Sequence, residues 1–383
     1  MIYVVSDYFE GVLQVLRVLH VADLDFGLGG INQVVPRMIQ EQNKLHGVET
    51  QLLVPSASKY RTNLGFICHS TTNLETIEKT IVNTFKPDLA VFHALYIKEY
   101  IKLSQLFDRL SIPYAIVPHG GFSRVVQGKG RLKKTVANHL FFRKFISKAS
   151  AILFLTEGER QNSFFHHDKA FIVPNGIDLP DQLCSIASKG SLNDEGFTMT
   201  FIGKIDFYYK GIDKLLEAVS LVRSDLRDRR VTIEVCGNVV ADSEKRLLSL
   251  IKKLDINDLV VFKGPVYNKE KSHQYLNTDI FVLTSRSEGM PTVILEALSY
   301  AVPCLVTTGT NMSDLLTRSG AGWGCDFSVE SIADYLLVAV EDYKKNKHVL
   351  KRNARALAEQ FTWEHSARES VKVYQAIVKR RQR

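Results

Sequence analysis

Several features that define other protein classes are missing from this 383-residue chain. No run of about 18 apolar residues occurs, so no transmembrane helix is expected. Residues 1–19 lack a basic start followed by an apolar block, which predicts no signal peptide and a cytoplasmic location. The five cysteines form neither a CxxC pair nor an even framework, and we interpret them as small buried residues.

Cofactor signatures are scarce as well. The nearest approach to a metal cluster is His166 beside His167, but adjacent histidines rarely hold one ion, and we interpret both as surface residues. The loop at 27–32 has three glycines, but Asn32 stands where the dinucleotide fingerprint GxGxxG requires its last glycine. We therefore expect no essential metal and no cofactor, which disfavours a Rossmann-type dehydrogenase.

The composition is that of a globular protein, with 45% apolar and 23% charged residues, and the length suits two domains. Strand-like and helical segments alternate, which predicts parallel sheets with helices on both faces. In the first half, a helix is predicted at 31–45 and strands at 15–21, 50–54, 89–93, 114–117 and 151–155. In the second half, strands are predicted at 198–202, 231–236, 259–262, 280–283 and 303–307.

A stretch rich in Asp, Ser and Gly separates the two series at 179–196, and we interpret it as a linker. The predicted fold class is therefore α/β, with two doubly wound, Rossmann-like domains that face a central cleft. We place their bounds at 1–180 and 195–361. A final helix is predicted from Trp363 to the basic tail, and no role is assigned to residues 1–14.

The most informative run is SRSEGMPTVILEAL at 285–298, in which two glutamates stand eight positions apart. Pro291 suits the first turn of a helix, because its missing N–H would be unpaired there. Glu288 then lies at the mouth of this helix, and Glu296 lies about two turns in, on nearly the same face. Because Glu296 has apolar neighbours, we expect its carboxylate to bind a polar ligand.

A second loop carries two lysines. Gly203 and Lys204 follow a predicted strand, and Lys210 precedes a predicted helix. Lysines beside free helix N–H groups favour a diphosphate, and the carboxyl ends of parallel strands form the ligand crevice of open α/β sheets. Gly237 follows another strand at the same edge and would let the chain pass beneath a nucleotide.

Two further candidates follow strands of the first domain. Gly29 and Gly30 open the first predicted helix and would let the backbone approach a ligand, although a tight turn would give the same pattern. His119 follows the strand at 114–117 and faces the predicted cleft. A lone histidine is more often structural than catalytic, but this position favours a functional role.

The order of these motifs resembles that of family-4 retaining glycosyltransferases, which have the GT-B fold and belong to the glycosyl transferases group 1. The likeness covers essentially the whole chain. It implies that a C-terminal helix at 363–383 crosses back onto the first domain. One difference is Lys204, where arginine is commoner in the family, so that a bidentate phosphate contact would be lost.

The resemblance implies transfer of a sugar, with retention, from a nucleoside diphosphate-sugar to an acceptor hydroxyl. The catalytic candidates are His119, Glu288 and Lys210. His119 would touch the transferred sugar, Glu288 would hold sugar hydroxyls, and Glu296 would bind the ribose. Both loop lysines would stabilise the departing diphosphate. The predicted donor-binding set is Gly29, Gly30, Gly203, Lys204, Lys210, Gly237, Glu288, Gly289, Met290, Pro291, Thr292 and Glu296.

Positive charge is concentrated locally within a net charge of +8. No Asp or Glu occurs from 109 to 156, and Phe141, Phe142, Phe145 and Ile146 stand among the basic residues of the segment 124–148. We expect no nucleic-acid partner, because no such motif is present. An anionic membrane surface and an ordinary packed helix with solvated lysines remain equal alternatives for this segment. By resemblance, the acceptor would be a lipid-linked glycan of bacterial surface polysaccharide (O-antigen, capsule or exopolysaccharide), with the enzyme peripheral on the inner face of the plasma membrane.

Two other functions are compatible with the same architecture. One is a GT-B epimerase of nucleotide-sugars, which the layout of Lys210, Glu288 and Glu296 fits less well. The other is a non-catalytic partner subunit that binds a sugar nucleotide. Loss of pocket residues would mark such a subunit, yet all of them are present here. The base, the sugar, the acceptor, the linkage and the oligomeric state stay open.

Overall fold

A computed structural model describes residues 15–25, 30–56, 64–128, 138–180, 196–239 and 242–381. In these ranges the chain forms two all-parallel sheets with helices on both faces, which confirms the predicted α/β class and the two doubly wound domains. Gly29, most of the predicted linker and residues 1–14 lie outside the described ranges.

The first sheet has seven strands in the order β3-β2-β1-β4-β5-β6-β7. Its central strands are continuous apolar runs, because parallel strands covered by helices are buried on both faces. The strands are β1 (Leu16–Ala22), β2 (Val48–Val54), β3 (Cys68–Ser70), β4 (Leu89–His93), β5 (Tyr114–Val117), β6 (Ala151–Phe154) and β7 (Ala170–Ile172). The helices are α1 (Ile31–Gln42), α2 (74–85), α3 (Lys98–Arg109), α4 (Arg124–Gly128), α5 (138–148) and α6 (Glu157–Gln161).

The second sheet has six strands in the order β10-β9-β8-β11-β12-β13. The strands are β8 (Phe197–Ile202), β9 (Val231–Cys236), β10 (Val260–Gly264), β11 (Ile280–Leu283), β12 (Cys304–Thr307) and β13 (Gly322–Cys325). The helices are α7 (Ile212–Leu221), α8 (Arg223–Asp228), α9 (Ser243–Lys253), α10 (Asn268–Leu276), α11 (Thr292–Ser299), α12 (Ser313–Ser319), α13 (Val329–Glu359) and α14 (Trp363–Arg381). Strand order reverses beside β1 and beside β8, and such reversals open the ligand crevice of doubly wound sheets.

The predictions differ from the structure mainly at edges. The strands β3, β7 and β13 were not predicted; each has three or four residues and lies at the edge of a sheet, where a periodic pattern is too short to detect. Helix α1 ends at Gln42 rather than at 45, where the Asn43 side chain turns to bond the backbone of Thr50.

The C-terminal helix α14 packs against α1 of the first domain. Trp363 and Ala367 form a small apolar cluster with Val34 and Met38. The crossing is also tied by the backbone, since the amide of Ile177 donates to the carbonyl of Phe361 at 2.7 Å. The last helix is therefore a structural part of the first domain.

The basic segment is mostly packed where the structure describes it. Phe142, Phe145 and Ile146 are buried in the first core, whereas Phe141 is exposed. Residues 129–137 lie outside the described ranges. No helix in the part of the chain that the structure describes has the length and apolarity to cross a bilayer. Four of the five cysteines are described, and all four are buried, as predicted.

Candidate active site

A cavity of about 770 Å³ lies between the carboxyl ends of the two sheets. Its walls come from both domains, so the cleft exists only when the two halves face each other. It brings together all described members of the predicted set, with Gly29 beyond the described ranges. They are Gly30, His119, Gly203, Lys204, Lys210, Gly237, Glu288, Gly289, Met290, Pro291, Thr292 and Glu296.

Glu288 and Lys210 form an ion pair in this cavity. Lys210 Nζ lies 2.5 Å from Glu288 Oε1, and the Ser285 hydroxyl donates to the same oxygen at 2.7 Å. The Glu288 backbone is fixed as well, because Asn311 Nδ2 donates to its carbonyl at 2.6 Å. Both partners on the carboxylate engage Oε1, which leaves Oε2 for hydroxyls of a ligand.

Glu296 has two protein partners as well as a place in the cavity wall. Lys271 Nζ lies 2.5 Å from Glu296 Oε2, and the Tyr275 hydroxyl donates to the same oxygen at 2.7 Å. Lys271 and Tyr275 are four positions apart on α10, so they reach the carboxylate from one helix face. The other oxygen, Oε1, has no partner in the described part of the chain, and Glu296 lines the cavity.

Lys204 is the cation of the cavity with no ion pair in the described ranges. It follows β8 directly and is exposed. Opposite it, α11 begins at Thr292, so Pro291 is the N-cap rather than the first helical residue. Free N–H groups at this helix start add positive potential beside the lysines. The arrangement therefore suits an anion with two charged groups.

Close backbone packing explains one of the predicted glycines. A Cβ on Gly237 would lie 1.6 Å from the carbonyl oxygen of Gly203, so no other residue fits between the ends of β8 and β9. Gly203 itself would meet only ordinary contacts, the nearest being the Phe201 ring at 3.5 Å. Gly237 is therefore required by the fold, and Gly203 leaves the cavity open.

His119 reaches the cavity from the first domain. It has φ +48°, a conformation that few residues other than glycine adopt, and the Gly120 amide after it donates to Glu159 Oε1 at 2.5 Å. Glu159 Oε2 also accepts from the amide of Leu155 at 2.7 Å. Burial raises the pKa of Glu159 to about 7, although both amides favour its charged form. Glu159 therefore holds the turn that carries His119 in place.

The two domains touch at one side of the cleft. A Cβ on Gly120 would lie 2.9 Å from the amide nitrogen of Gly289, so the two backbones are in direct contact. Ser123 Oγ and Ser287 Oγ are 2.7 Å apart, and Asn175 Nδ2 donates to the carbonyl of Met290 at 3.2 Å. These contacts hold His119 next to the loop that carries Glu288.

Several cavity residues were not found from the sequence. Lys271 and Tyr275 lie on a polar helix whose pattern is that of an exposed surface. Asn175 lies in the loop after β7 and also lines the cavity. The far end is lined by Asn238 and Tyr267, which bond each other through side chains. Only the position of Asn238 after a predicted strand could have indicated it.

Residues 185–357 match the sequence profile of a family described as glycosyl transferases group 1. An uncharacterised glycosyltransferase of Methanocaldococcus jannaschii is 23% identical over 216 residues. That match covers 54% of this chain and 54% of the archaeal protein, so the chain spans about half the length of this relative.

Two solved structures share the fold over nearly the whole chain. HepE of Anabaena, in complex with UDP, has a TM-score of 0.72 and 15% identity, covering 94% of this chain and 100% of that one. The lipopolysaccharide outer core galactosyltransferase WaaB has a TM-score of 0.70 and 14% identity, covering 94% and 99%. Residues 185–357 are therefore similar to the glycosyl transferases group 1, and the likeness to the two solved structures shows a GT-B fold for both halves of the chain.

Proposed function

We propose that this chain transfers a sugar from a nucleoside diphosphate-sugar to an acceptor hydroxyl. The observation that carries the proposal is the contact of Lys210 with Glu288 in the interdomain cavity, at the start of α11. It puts a cation for the diphosphate beside an acceptor for sugar hydroxyls. A structural neighbour has been solved with UDP and with UDP-glucose, which supports this class of donor.

The donor would lie along the cavity from the second domain toward His119. Glu296 Oε1 accepts the ribose hydroxyls, while Oε2 stays with Lys271 and Tyr275. Lys204 and Lys210 hold the diphosphate with the helix amides, and Glu288 Oε2 accepts from the sugar. His119 contacts the sugar from the opposite wall.

The chemistry is electrostatic stabilisation of a departing diphosphate. The bond from the anomeric carbon to the diphosphate oxygen breaks as the lysines take up the developing charge. The acceptor oxygen bonds to the same carbon and its proton passes to the leaving oxygen. Among the described residues, the first-domain wall contains no Asp or Glu, so a carboxylate nucleophile there is disfavoured and same-face attack with retention is supported.

A binding experiment tests the donor site. Ligands that bind only the folded state raise the melting temperature, so a panel of UDP-, GDP-, ADP- and dTDP-sugars should contain one that stabilises the wild type. We expect Glu296→Ala to lose that shift, because the ribose contact disappears. Glu217→Ala, which alters a half-buried glutamate of α7 outside the cavity wall, is the matched control and should keep the shift. Absence of a shift with every donor would contradict the proposal.

The acceptor is proposed to be a lipid-linked glycan of a bacterial surface polysaccharide, approached by the basic segment 124–148. The likeness to a lipopolysaccharide transferase supports this class of acceptor. The exposed Phe141 beside Arg143 and Lys144 supports a membrane contact, and the buried neighbours of Phe141 favour ordinary packing.

Sedimentation with anionic liposomes separates these alternatives. Neutralising Lys133, Lys134, Arg143 and Lys144 together should release the protein from vesicles containing anionic lipid and leave donor binding intact. Neutralising the exposed pair Lys252 and Lys253 on the second domain is the control for net charge. Equal sedimentation of all three proteins would refute the membrane contact.

A further inference from the structure

Three histidines form a continuous hydrogen-bonded chain through the first domain. They come from the adjacent strands β1, β4 and the turn after β5. His20 Nδ1 lies 2.9 Å from His93 Nε2, and His93 Nδ1 lies 3.0 Å from His119 Nε2. The inner end of the chain is His20 Nε2, which lies 2.8 Å from Oε1 of Gln42 on α1. The chain therefore leads from the packed interior to the cleft.

All three imidazoles are neutral at physiological pH. Burial lowers the pKa of His20 and of His119 to about 4, and it holds the pKa of His93 well below its usual range. A neutral imidazole has one N–H donor and one lone pair, so each bond in the chain fixes the tautomer of the next ring. Only two arrangements are consistent: every ring protonated on Nε2, or every ring protonated on Nδ1.

The C-terminal helix selects between these arrangements. The Ser370 hydroxyl on α14 donates to the carbonyl of Ala367 at 2.7 Å, so its oxygen is left to accept. Gln42 Nε2 donates to Ser370 Oγ at 2.8 Å, which turns Gln42 Oε1 toward His20. Gln42 and Ser370 are fully buried, so no water offers an alternative partner at the surface. His20 must then be the donor.

We propose that Gln42, oriented by Ser370 of the C-terminal helix, fixes His20, His93 and His119 as Nε2–H tautomers. His119 then presents an unprotonated Nδ1 to the cleft. Gln42, Ser370, His20 and His93 act as positioning residues, because none of them lines the cavity. The role of Nδ1 in transfer rests on the proposed function, whereas the tautomer itself is a property of the protein alone.

The direction of hydrogen-bond donation along the three histidines matters for the chemistry. His119 lines the cavity, and its Nδ1 makes no hydrogen bond to the described residues. A lone pair at this place accepts from a sugar hydroxyl and is compatible with positive charge at the anomeric carbon. The opposite tautomers would point an N–H dipole at the same sugar and oppose that charge.

Tautomers can be measured directly on the full-length protein without substrate. Two-bond ¹H–¹⁵N correlation of the imidazoles distinguishes protonation on Nε2 from protonation on Nδ1. We expect the Nε2–H pattern for all three rings, with the exposed His365 as an internal reference. Nδ1 protonation of His119 in the wild type would overturn the proposal, whether or not the protein transfers a sugar.

Variants then test the inner end of the chain. Gln42→Met removes the acceptor, and we expect mixed tautomers at His119, a kcat lower by roughly tenfold and a donor KM within about twofold of the wild type. Gln42→Glu keeps an oxygen toward His20 and should restore the Nε2–H pattern and most of kcat. Ser370→Ala should shift the tautomers in the same direction as Gln42→Met.

The outcomes separate this inference from the proposed function. If the wild type binds no donor and transfers nothing, the proposed function fails while the tautomer pattern can still be confirmed. If Gln42→Met remains folded, mixes the tautomers and transfers as fast as the wild type, positioning by the histidine chain is refuted. If Gln42→Met retains the Nε2–H pattern, control by the C-terminal helix is refuted.

Discussion

Replacing Lys210 by methionine is expected to lower kcat/KM for transfer by about 10²- to 10³-fold, the range found when one preorganised charge-stabilising group is removed. Lys210 is the one lysine that pairs with Glu288 among the described residues, and it lines the cavity beside Lys204. Methionine keeps much of the length of the side chain but has no charge. The loss should appear mainly in kcat, because the negative charge on the diphosphate grows as the sugar departs.

The matched control is Lys214→Met. Lys214 lies four positions further on, pairs with Glu217 on α7 and is absent from the cavity wall. It should transfer at nearly the wild-type rate. Because Lys210→Met leaves Glu288 without its ion pair, the melting temperature of the variant checks whether stability alone explains the loss. A kcat/KM within threefold of the wild type for Lys210→Met would contradict the role of Lys210.

The same assay reports the stereochemistry. Nuclear magnetic resonance of the first product, recorded before it can equilibrate, gives the configuration at the anomeric carbon. Same-face attack predicts the configuration of the donor. The inverted configuration would require a base positioned for direct displacement, which the described first-domain wall does not supply as Asp or Glu.

The free energy of unfolding is expected to fall as the pH is lowered from 6.5 to 5, with a slope that grows to about 2.7 kcal/mol per pH unit near pH 5. Burial lowers the pKa of His20 and His119 from 6.5 to about 4 and that of His93 well below 6.5. Near pH 5 these three histidines bind about three protons in the unfolded chain that they exclude in the native state. Glu159 acts in the opposite direction, since its pKa rises from 4.5 to about 7 in the native state.

The sign follows from the balance of these protons. Near pH 5, unfolding binds about three protons at the histidines and releases about one proton from Glu159. The unfolded state therefore gains about two protons, and each is equivalent to about 1.4 kcal/mol per pH unit. Stability due to the histidines is present above pH 6.5 and is lost as the pH falls toward 4. Stability due to protonated Glu159 is present at low pH and is lost as the pH rises through about 7.

Urea unfolding between pH 5 and 7.5 measures how the free energy of unfolding changes with pH. Variants then show which side chains cause the change. His119→Gln should reduce the slope by about one proton, whereas Glu159→Gln should increase it by about one. His365→Gln, at an exposed position of α14, should leave it unchanged. A wild-type slope near zero would show that the buried histidines charge in the native state.

Both predictions depend on contacts that the sequence could not supply. The run at 285–298 indicated Glu288 and Glu296, because a Gly/Pro loop before an apolar helix is a local pattern. Their partners were not predictable in the same way. Lys210 is 78 positions from Glu288, and Lys271 stands on a helix whose charged residues resemble a solvated face.

The histidine chain shows the same limit. The sequence drew attention to His119 through its place after a strand. His20 and His93 appeared only as ends of apolar runs, and Gln42 is 328 positions from Ser370. These residues are hydrogen-bonded to one another because they are buried, and buried polar groups need partners inside the protein.

The sequence by itself determined the alternation of buried strands and amphipathic helices, and with it the two doubly wound sheets and the edge at which the motifs meet. This follows because hydrophobic periodicity and turn residues act over a few neighbouring positions. Only the tertiary structure decided which lysine pairs with which glutamate, how the glycine turns of the two domains touch, and which nitrogen of His119 bonds His93. Those outcomes depend on distances between residues that the chain brings together only when both domains have folded.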